Sequence, residues 1–382
     1  MVVIFVARMI SVAIPTYKEA AVIEETLRRT AAVLQTTGEA FELIVVDDAS
    51  GDGTAELAES LAPELPVRVL RRPGRLGLAT AVVAGWQIAR GDVLGIMDAD
   101  LQHPPEVLRE LIAALRAENA DLAVASRYVT GGGTSGWSWI RRFISWAGVR
   151  LGWAVLPWTL GDVKDFGSGM FLVRAAVIAG VELQPLGIKT LLEILAKGKY
   201  QKLVEVPYVF QGRARGESKL GARQHVEYLQ HLARVGRGSG ELAAWGRYAL
   251  VGLLGAAVNL GALYLLVQRA GWHLWLALPA AIQLALLSNF LWNNAVTFRF
   301  CRGGSRGEGG VVSRLLRYEK VCLPGAILNG AVTFVLARLG LHLLAAAAMG
   351  IFAGAVWSFV FTVPSIWRIW GKGPAGRRGE TA

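Results

Sequence analysis

Short apolar runs alternate with amphipathic ones over the first third of the chain. Ile10–Ile14, Leu43–Val46, Val67–Leu70, Val93–Met97 and Leu122–Ala125 are continuous and rich in branched aliphatics, the pattern of strands buried on both faces. Residues 20–36, 53–62, 78–90 and 104–118 between them have helical patterning. Strand and helix alternate, so the pattern predicts an α/β fold: a parallel sheet with helices on both faces. Ligands of such sheets gather outside the carboxyl ends of the strands, so the chemistry is expected just after each strand.

Beyond residue 240 the pattern changes. Charge nearly vanishes over 248–268, 270–298, 321–337 and 339–367. A membrane helix needs about 20 apolar residues. These stretches predict four transmembrane helices near 247–268, 273–294, 317–338 and 343–366, the third completed by a snorkelling Lys320. Core helices of a large soluble protein would instead carry a polar stripe at helical spacing. The two hairpins echo each other. Arg247-Tyr248 recurs as Arg317-Tyr318, and Val251, Leu253, Gly255, Ala256 and Asn259 recur as Val321, Leu323, Gly325, Ala326 and Asn329. Asn259, Gln283, Asn289, Asn293, Asn294 and Asn329 are expected to face other helices, as packing contacts ahead of a transport path. No acidic residue lies in a span core, which argues against a proton-driven transporter.

Residues 221–240 mix apolar residues with His225, His231, Arg234 and Arg237, as an interfacial amphipathic helix would. The expected organisation is an α/β domain over 1–220, an amphipathic linker over 221–244, a four-helix membrane domain over 245–368 and a basic tail over 369–382. The N-terminal apolar run is too short for a signal or a span, so the first strand is expected from Ile10, with Met9 an alternative start.

Charge sharpens this division. Mean hydropathy is +0.42 and net charge +11. From residue 241 on, 13 Lys and Arg face 4 Glu, a balance of +9, which leaves +2 for the first 240 residues. Positive charge on the apolar half suits an anionic membrane surface and not a nucleic acid. The loop 299–320 and the C-terminal tail hold most of it, so both termini and the soluble half are expected in the cytoplasm. Two cysteines, Cys301 and Cys322, exclude a disulfide framework and a cysteine zinc cluster.

The residues after the strands are unusual. Pro15-Thr16-Tyr17-Lys18-Glu19 follows the first, Asp47-Asp48-Ala49-Ser50-Gly51-Asp52-Gly53-Thr54 the second, and Asp98-Ala99-Asp100-Leu101-Gln102 the fourth. So many carboxylates in one crevice are costly without a cation or hydrogen-bond donors. Asp98 and Asp100 stand at i and i+2, where an extended chain points both to one side. With Gln102 they suit a hard divalent cation, Mg²⁺ or Mn²⁺, bridging a diphosphate. Capping is the simpler reading of Thr54, and a turn is the alternative for Asp47 and Asp48. A basic group follows: Arg127, then Arg141 and Arg142 after Gly131-Gly132-Gly133 and Trp137, with Ser145 one helical turn beyond Arg141. Isolated arginines often lie on solvated faces, but this run suits a phosphate held at the bilayer surface.

Pro15–Glu19, Asp47–Ser50, Asp98–Glu106 (DADLQHPPE), Ser126-Arg127-Tyr128, Ser168-Gly169 and Arg213–Lys219 (RARGESK) together resemble the dolichyl-phosphate mannose synthase family over about residues 9–235. Those enzymes are inverting family 2 polyprenyl-phosphate glycosyltransferases with the GT-A fold. Residues 245–368 are similar to a GtrA-like four-helix membrane domain. The resemblance implies transfer of mannose from GDP-mannose to dolichyl or another polyprenyl phosphate. It implies that Pro15, Tyr17, Glu19, Val46 and Asp48 hold the nucleotide, with Lys219 in a loop closing over it. It places Asp98, Ala99, Asp100 and Gln102 against metal and diphosphate, and Arg127, Arg141, Ser145 and Arg213 against phosphate of acceptor or donor. Catalysis then falls to Asp98, Asp100, Arg127 and Arg213. Phe166 stands where the family often has proline, which bears on the sugar pocket. His103, ahead of two prolines, is expected to position its loop. Glucosyl transfer from a uridine donor to undecaprenyl phosphate is the neighbouring reading. Processive polysaccharide synthesis lacks its Gln-x-x-Arg-Trp motif here. A scaffold or lipid flippase with an inert soluble half is the non-enzymatic alternative.

Overall fold

The computed structural model describes residues 6–184, 186–187, 189–212, 222–297 and 311–362. The first part of the chain runs β1 (Val6–Thr16), α1 (Ile23–Gln35), β2 (Ala40–Asp47), α2 (Thr54–Ser60), β3 (Val67–Arg71), α3 (Leu78–Gln87), β4 (Gly91–Ile96), α4 (Val107–Ala117) and β5 (Leu122–Ser126). It continues through β6 (Gly133–Thr134), α5 (Trp139–Val155), α6 (Pro157–Leu160), β7 (Phe171–Arg174), α7 (Ala175–Ile178), α8 (Thr190–Lys197), β8 (Leu203–Pro207), β9 (Val209–Phe210) and α9 (Ala222–Ser239). The apolar helices follow: α10 (Glu241–Tyr264), α11 (Leu274–Trp292), α12 (Val311–Arg338) and α13 (Leu343–Thr362). The chain forms two compact units, residues 1–151 with 162–235, and residues 152–161 with 236–382.

The first unit is built on a seven-stranded sheet ordered β3-β2-β1-β4-β7-β5-β8. The five expected strands and four expected helices all form. The sheet is not all-parallel, however: β7 runs antiparallel to both β4 and β5. Nothing in the periodicity of Phe171–Arg174 distinguishes an inserted antiparallel strand from a parallel one. The branched side chains bury as their pattern requires: Ile10, Val12 and Ile14 pack with Leu27, Leu34, Leu108 and Leu111 in one cluster. On the other face Gly85 lets α3 approach the sheet, where an added Cβ would lie 3.0 Å from Val46 and 3.2 Å from Ala13. Chain order reverses at β1, with β2 on one side and β4 on the other. That switch point opens a crevice beyond the carboxyl ends of β1, β2 and β4.

Helix α9 is held to this unit by a buried pair: His231 Nε2 lies 3.3 Å from Glu193 Oε1 on α8, and neither side chain is exposed. Burial alone would raise the Glu193 carboxyl, but His231 and Lys197 outweigh it and hold it well below the usual range. Tyr228 of α9 donates to the Gly148 carbonyl of α5 at 2.7 Å.

In the second unit α10 with its extension to Arg269, α11 with its extension to Thr297, and α12 are each long and apolar enough to cross a membrane. Helix α13 adds 20 residues. The turns joining α10 to α11 and α12 to α13 contain Gly271 at φ +69° and Gly340 at φ +90°, left-handed positions that favour glycine.

Candidate active site

The loops after β1, β2 and β4 share a backbone device. Lys18, Ala49 and Leu101 all take positive φ, at 57°, 54° and 59°. Strained residues of this kind gather where a chain must turn sharply to present side chains.

The loop after β2 uses its carboxylates internally. Asp47 accepts Thr16 Oγ1 at 3.0 Å, the Ser50 amide at 3.0 Å and the Ser50 hydroxyl. Asp48 pairs with Arg72 Nη1 at 2.6 Å and accepts the amides of Leu76 and Gly77 at 3.1 and 2.8 Å. Asp52 takes Thr54 N–H and O–H, while Thr54 Oγ1 accepts the Glu19 amide at 3.0 Å. The crowding of acids is thus answered by donors, and Thr54 acts as a loop tie beyond simple capping. Asp48 fixes the segment that carries Arg75, whose guanidinium lies 4.3 Å from the Tyr17 ring centre. Pro15 and Val46 are buried in the sheet.

The loop after β4 differs. Asp98, Asp100 and His103 bring one ligand atom each within 4.8 Å of one another. A turn, and not the alternation of an extended strand, makes Asp98 and Asp100 converge. Asp98 Oδ1 and both His103 ring nitrogens are buried without a hydrogen-bond partner, although His103 Nδ1 stands 3.3 Å from Asp98 Oδ2. Gly169 leaves the room for this, since a Cβ there would lie 3.0 Å from His103 and 3.3 Å from Asp98. Gln102 donates Nε2 to the Gln211 carbonyl at 3.2 Å, and Ala99 gives its carbonyl to Thr26. Orphaned carboxylate oxygen among oxygen donors fits Mg²⁺ or Mn²⁺. His103, expected to position its loop, also stands beside the two acids. Its spacing, five after Asp98, is the one sequence signal for it.

A ladder of rings leads from this cluster to the basic one. His103 stacks on Tyr208 at 5.7 Å and meets Phe210 edge-on at 5.0 Å, and Phe210 meets Trp137 at 5.4 Å. Trp137 then lies between two guanidiniums, Arg127 at 5.8 Å and Arg141 at 4.2 Å. Ser145 Oγ bonds the Tyr128 hydroxyl at 2.8 Å, and Arg127 lies 5.4 Å from the same Tyr128 ring. Arg127, Arg141 and Ser145 are therefore gathered by two aromatic side chains. Arg213 and Lys219 lie outside the described residues.

Arg127 has two charged neighbours from distant segments. Asp165, fully buried, accepts its Nε and Nη2, both at 2.7 Å. Lys189 directs its ammonium at Gly167, where any Cβ would collide with Nζ and would lie 3.9 Å from Arg127 Nη2. Burial, and then the charge of Arg127, bring the Lys189 pKa down to about 8. Lys189 lies in no recognisable motif. Phe166, beside them, is fully buried.

Helix α5 carries Arg141 and Ser145 and leaves bulky apolar side chains in the open: Trp139 is 77% exposed, Phe143 59% and Trp146 49%. Val226 and Leu229 of α9 are exposed as well. Apolar and cationic residues on an exposed helix suit a bilayer surface.

A nucleotide-fold sheet with an acidic crevice at its switch point, a cationic cluster beside it and a set of membrane helices define a membrane-associated GT-A glycosyltransferase. Residues 11–179 match the glycosyl transferase family 2 domain and residues 247–367 the GtrA/DPMS transmembrane domain. Dolichol-phosphate mannosyltransferase of Pyrococcus furiosus is 44% identical over 342 residues, 90% of this chain and 94% of that one. The chain belongs to the dolichol-phosphate mannosyltransferase family. Undecaprenyl-phosphate mannosyltransferase of Micrococcus luteus is 36% identical over 58% of this chain and 92% of its own length. Among solved structures, glucosyl-3-phosphoglycerate synthase of Mycobacterium tuberculosis, in complex with Mg²⁺ and uridine diphosphate, is a distant likeness. It has a TM-score of 0.46 and 22% identity over 60% of this chain and 80% of that one.

Proposed function

We propose that this chain transfers mannose from GDP-mannose to dolichyl or another polyprenyl phosphate, with inversion, at the cytoplasmic face of a membrane it spans four times. The observation that carries this reading is the ring ladder that ties the Asp98–Asp100–His103 cluster to Arg127 and Arg141. One crevice thus offers a cation site for a nucleoside diphosphate next to guanidiniums for a second phosphate.

The acceptor phosphate is a monoester whose second pKa lies near about 6, so it is already a dianion near neutral pH. It needs no strong general base, and no unpaired carboxylate is required beside it. Asp165 is engaged by Arg127 and does not serve as one. Arg127, Arg141 and Lys189 neutralise and orient the phosphate, with the Ser145 hydroxyl as a further donor. One phosphate oxygen attacks the anomeric carbon as the nucleoside diphosphate leaves from the opposite face, so an α-linked donor gives a β-linked lipid. Asp98 and Asp100, with His103 or Gln102, would hold Mg²⁺ or Mn²⁺, which stabilises the departing diphosphate when bound. Tyr17 and Glu19 border the nucleotide, and Asp48 acts on it through the Arg72–Gly77 segment. The exposed face of α5 brings Arg141 to the headgroup level. Arginines concentrated in 299–320 and the tail orient the helices with this face inward.

The test is transfer by the purified full chain from labelled GDP-mannose and UDP-glucose to a short prenyl phosphate, with the product's anomeric configuration read by NMR. A β-mannosyl lipid is expected. Transfer from the uridine donor alone, or an α-linked product, overturns the reading.

A further inference from the structure

Tyr228 of α9 reaches two other parts of the first unit. Its hydroxyl donates to the Gly148 carbonyl of α5 at 2.7 Å. Gly148 lies on the stripe of α5 that carries Arg141 and Ser145, seven and three residues before it. A Cβ added at Gly148 would already touch ring atom Cε1 at 3.9 Å, so a larger side chain there would push the ring away. The face of the same ring carries the Lys189 ammonium, 5.2 Å from its centre, just ahead of α8. One turn beyond Tyr228, His231 meets Glu193 and so fixes α9 to α8.

Lys189 needs such a seat. Burial disfavours its charge, and the neighbouring guanidinium of Arg127 disfavours it further. Asp165 opposes both, but its carboxylate is already held by Arg127 Nε and Nη2. Among the described residues no carboxylate forms an ion pair with Lys189. The other charged groups around its segment are Glu227 of α9, whose Oε2 would lie 3.3 Å from a Cβ on Gly187, and the His231–Glu193–Lys197 group further along α8. A cation within about 6 Å of a ring face is attracted by the ring's quadrupole, most of all where water is excluded. The Tyr228 ring therefore favours the charged lysine without adding an acid that would compete with a phosphate for it. Burial pushes the Tyr228 hydroxyl up, so it remains a neutral donor while Lys189 titrates.

We propose that Tyr228 is a positioning residue for the transfer reaction: its ring seats the Lys189 ammonium, and its hydroxyl fixes the face of α5 that bears Arg141 and Ser145. One side chain thus sets the cations that receive the acceptor phosphate in relation to each other. This role rests on the reading of Arg127, Arg141 and Lys189 as ligands of that phosphate. Tyr228 acts through Lys189 and α5 and not on the reacting atoms.

The test replaces Tyr228 in the full-length chain in detergent micelles. Titration of Lys189 is followed by ¹³C NMR of lysine Cε, its resonance assigned by its loss in Lys189→Met. The alkaline limb of kcat/KM is followed for transfer to a short prenyl phosphate. Tyr228→Leu should move both titrations down by about one pH unit. Tyr228→Phe keeps the ring and loses the bond to Gly148, so it should leave both at about 8. Its KM for the acceptor should rise roughly 2–10-fold, as for one lost hydrogen bond. Should Tyr228→Leu not fold, Tyr228→Phe carrying one to three ring fluorines keeps the shape while draining the ring face, and it should lower the titration stepwise. A Lys189 titration that stays in place in the Leu variant and across the fluorinated series would make Tyr228 a packing residue. A shift in Tyr228→Phe as large as in Tyr228→Leu would deny the ring its role, and an unchanged acceptor KM in Tyr228→Phe would deny the hydroxyl its own. Each of these overturns the proposal. The NMR titration requires no turnover, so a chain without transfer activity would defeat the proposed reaction and still show whether Tyr228 seats Lys189.

Discussion

Asp165 receives three N–H groups from Arg127: the backbone amide at 2.9 Å, and Nε and Nη2 at 2.7 Å each. This planar grip, buried under Tyr128, Trp137 and Phe210, fixes where the guanidinium can point. Asp165 and Glu205 continue the chain of contacts, since the Asp165 amide donates to Glu205 Oε1 at 3.0 Å. A carboxylate so occupied orients a phosphate ligand and takes no proton from it.

Asp165→Asn should therefore weaken both fold and catalysis. Removing one member of a buried pair typically costs about 3–5 kcal/mol, and thermal unfolding should record it. The double variant Arg127→Met with Asp165→Leu, which removes both charges, should recover most of that stability and none of the transfer rate. Recovery of kcat/KM in the double variant would show that the pair is only structural.

The cation site gives a second expectation. Asp98→Asn or Asp100→Asn should abolish transfer, and chelation should do the same to the unmodified chain, reversibly on adding Mg²⁺ or Mn²⁺. His103→Phe keeps a ring against Tyr208 and Phe210 but loses the nitrogen near Asp98. It should weaken Mn²⁺ binding by about 10–100-fold, the range of changes at residues supporting a metal site, as measured by calorimetry. A full transfer rate in excess chelator would remove the metal from the mechanism.

Much of this was legible along the chain because it depends on local order. Strand alternation located β1 to β5, and the acidic tails of β2 and β4 fell where a switch point collects ligands. What stayed hidden depends on contacts between distant segments. Asp165 and Lys189 meet Arg127 across intervals of 38 and 62 residues, so neither pairing could be read along the chain. Asp47 and Asp48 look like ligands in sequence, but their donors Thr16, Ser50 and Arg72 come from three separate segments. Strand β7 has no signal for direction, because an antiparallel insertion is decided by pairing with β4 and β5. Helix α5 was legible as a basic run suited to the bilayer surface, but the exposure of Trp139, Phe143 and Trp146 is decided by the fold.

Helix α5 bears a third expectation. Replacing Trp139, Phe143 and Trp146 by Ser removes apolar surface that the fold leaves uncovered, so folding stability should change little. Membrane-bound transfer to a long-chain acceptor should fall, chiefly through KM, while transfer to a short soluble acceptor should hold. An equal loss with both acceptors would assign these side chains to the catalytic cleft and not to the bilayer.

Lys189 ties catalysis to pH in a way that separates it from unfolding. Its ammonium belongs to a cluster with Arg127 and Asp165, two cations and one acid, and burial followed by the charge of Arg127 lowers its pKa from 10.5 to about 8. The native state therefore binds this proton less tightly than the unfolded chain does. Below pH 8 both states hold the proton and the buried charge costs stability. Between about 8 and 10.5 the unfolded chain still holds it while the native lysine has lost it, so stability should rise with pH across that window. Phosphate binding needs the charged form, so kcat/KM should fall as pH rises through about 8, in the opposite sense to stability. Lys189→Arg should move this alkaline limb out of range. Lys189→Met should remove it and lower kcat/KM by roughly 10–100-fold, the loss expected for one charge-assisted hydrogen bond. Because unfolding would carry rate and thermal midpoint down together, a parallel fall of both above pH 8 would exclude Lys189 as a phosphate ligand.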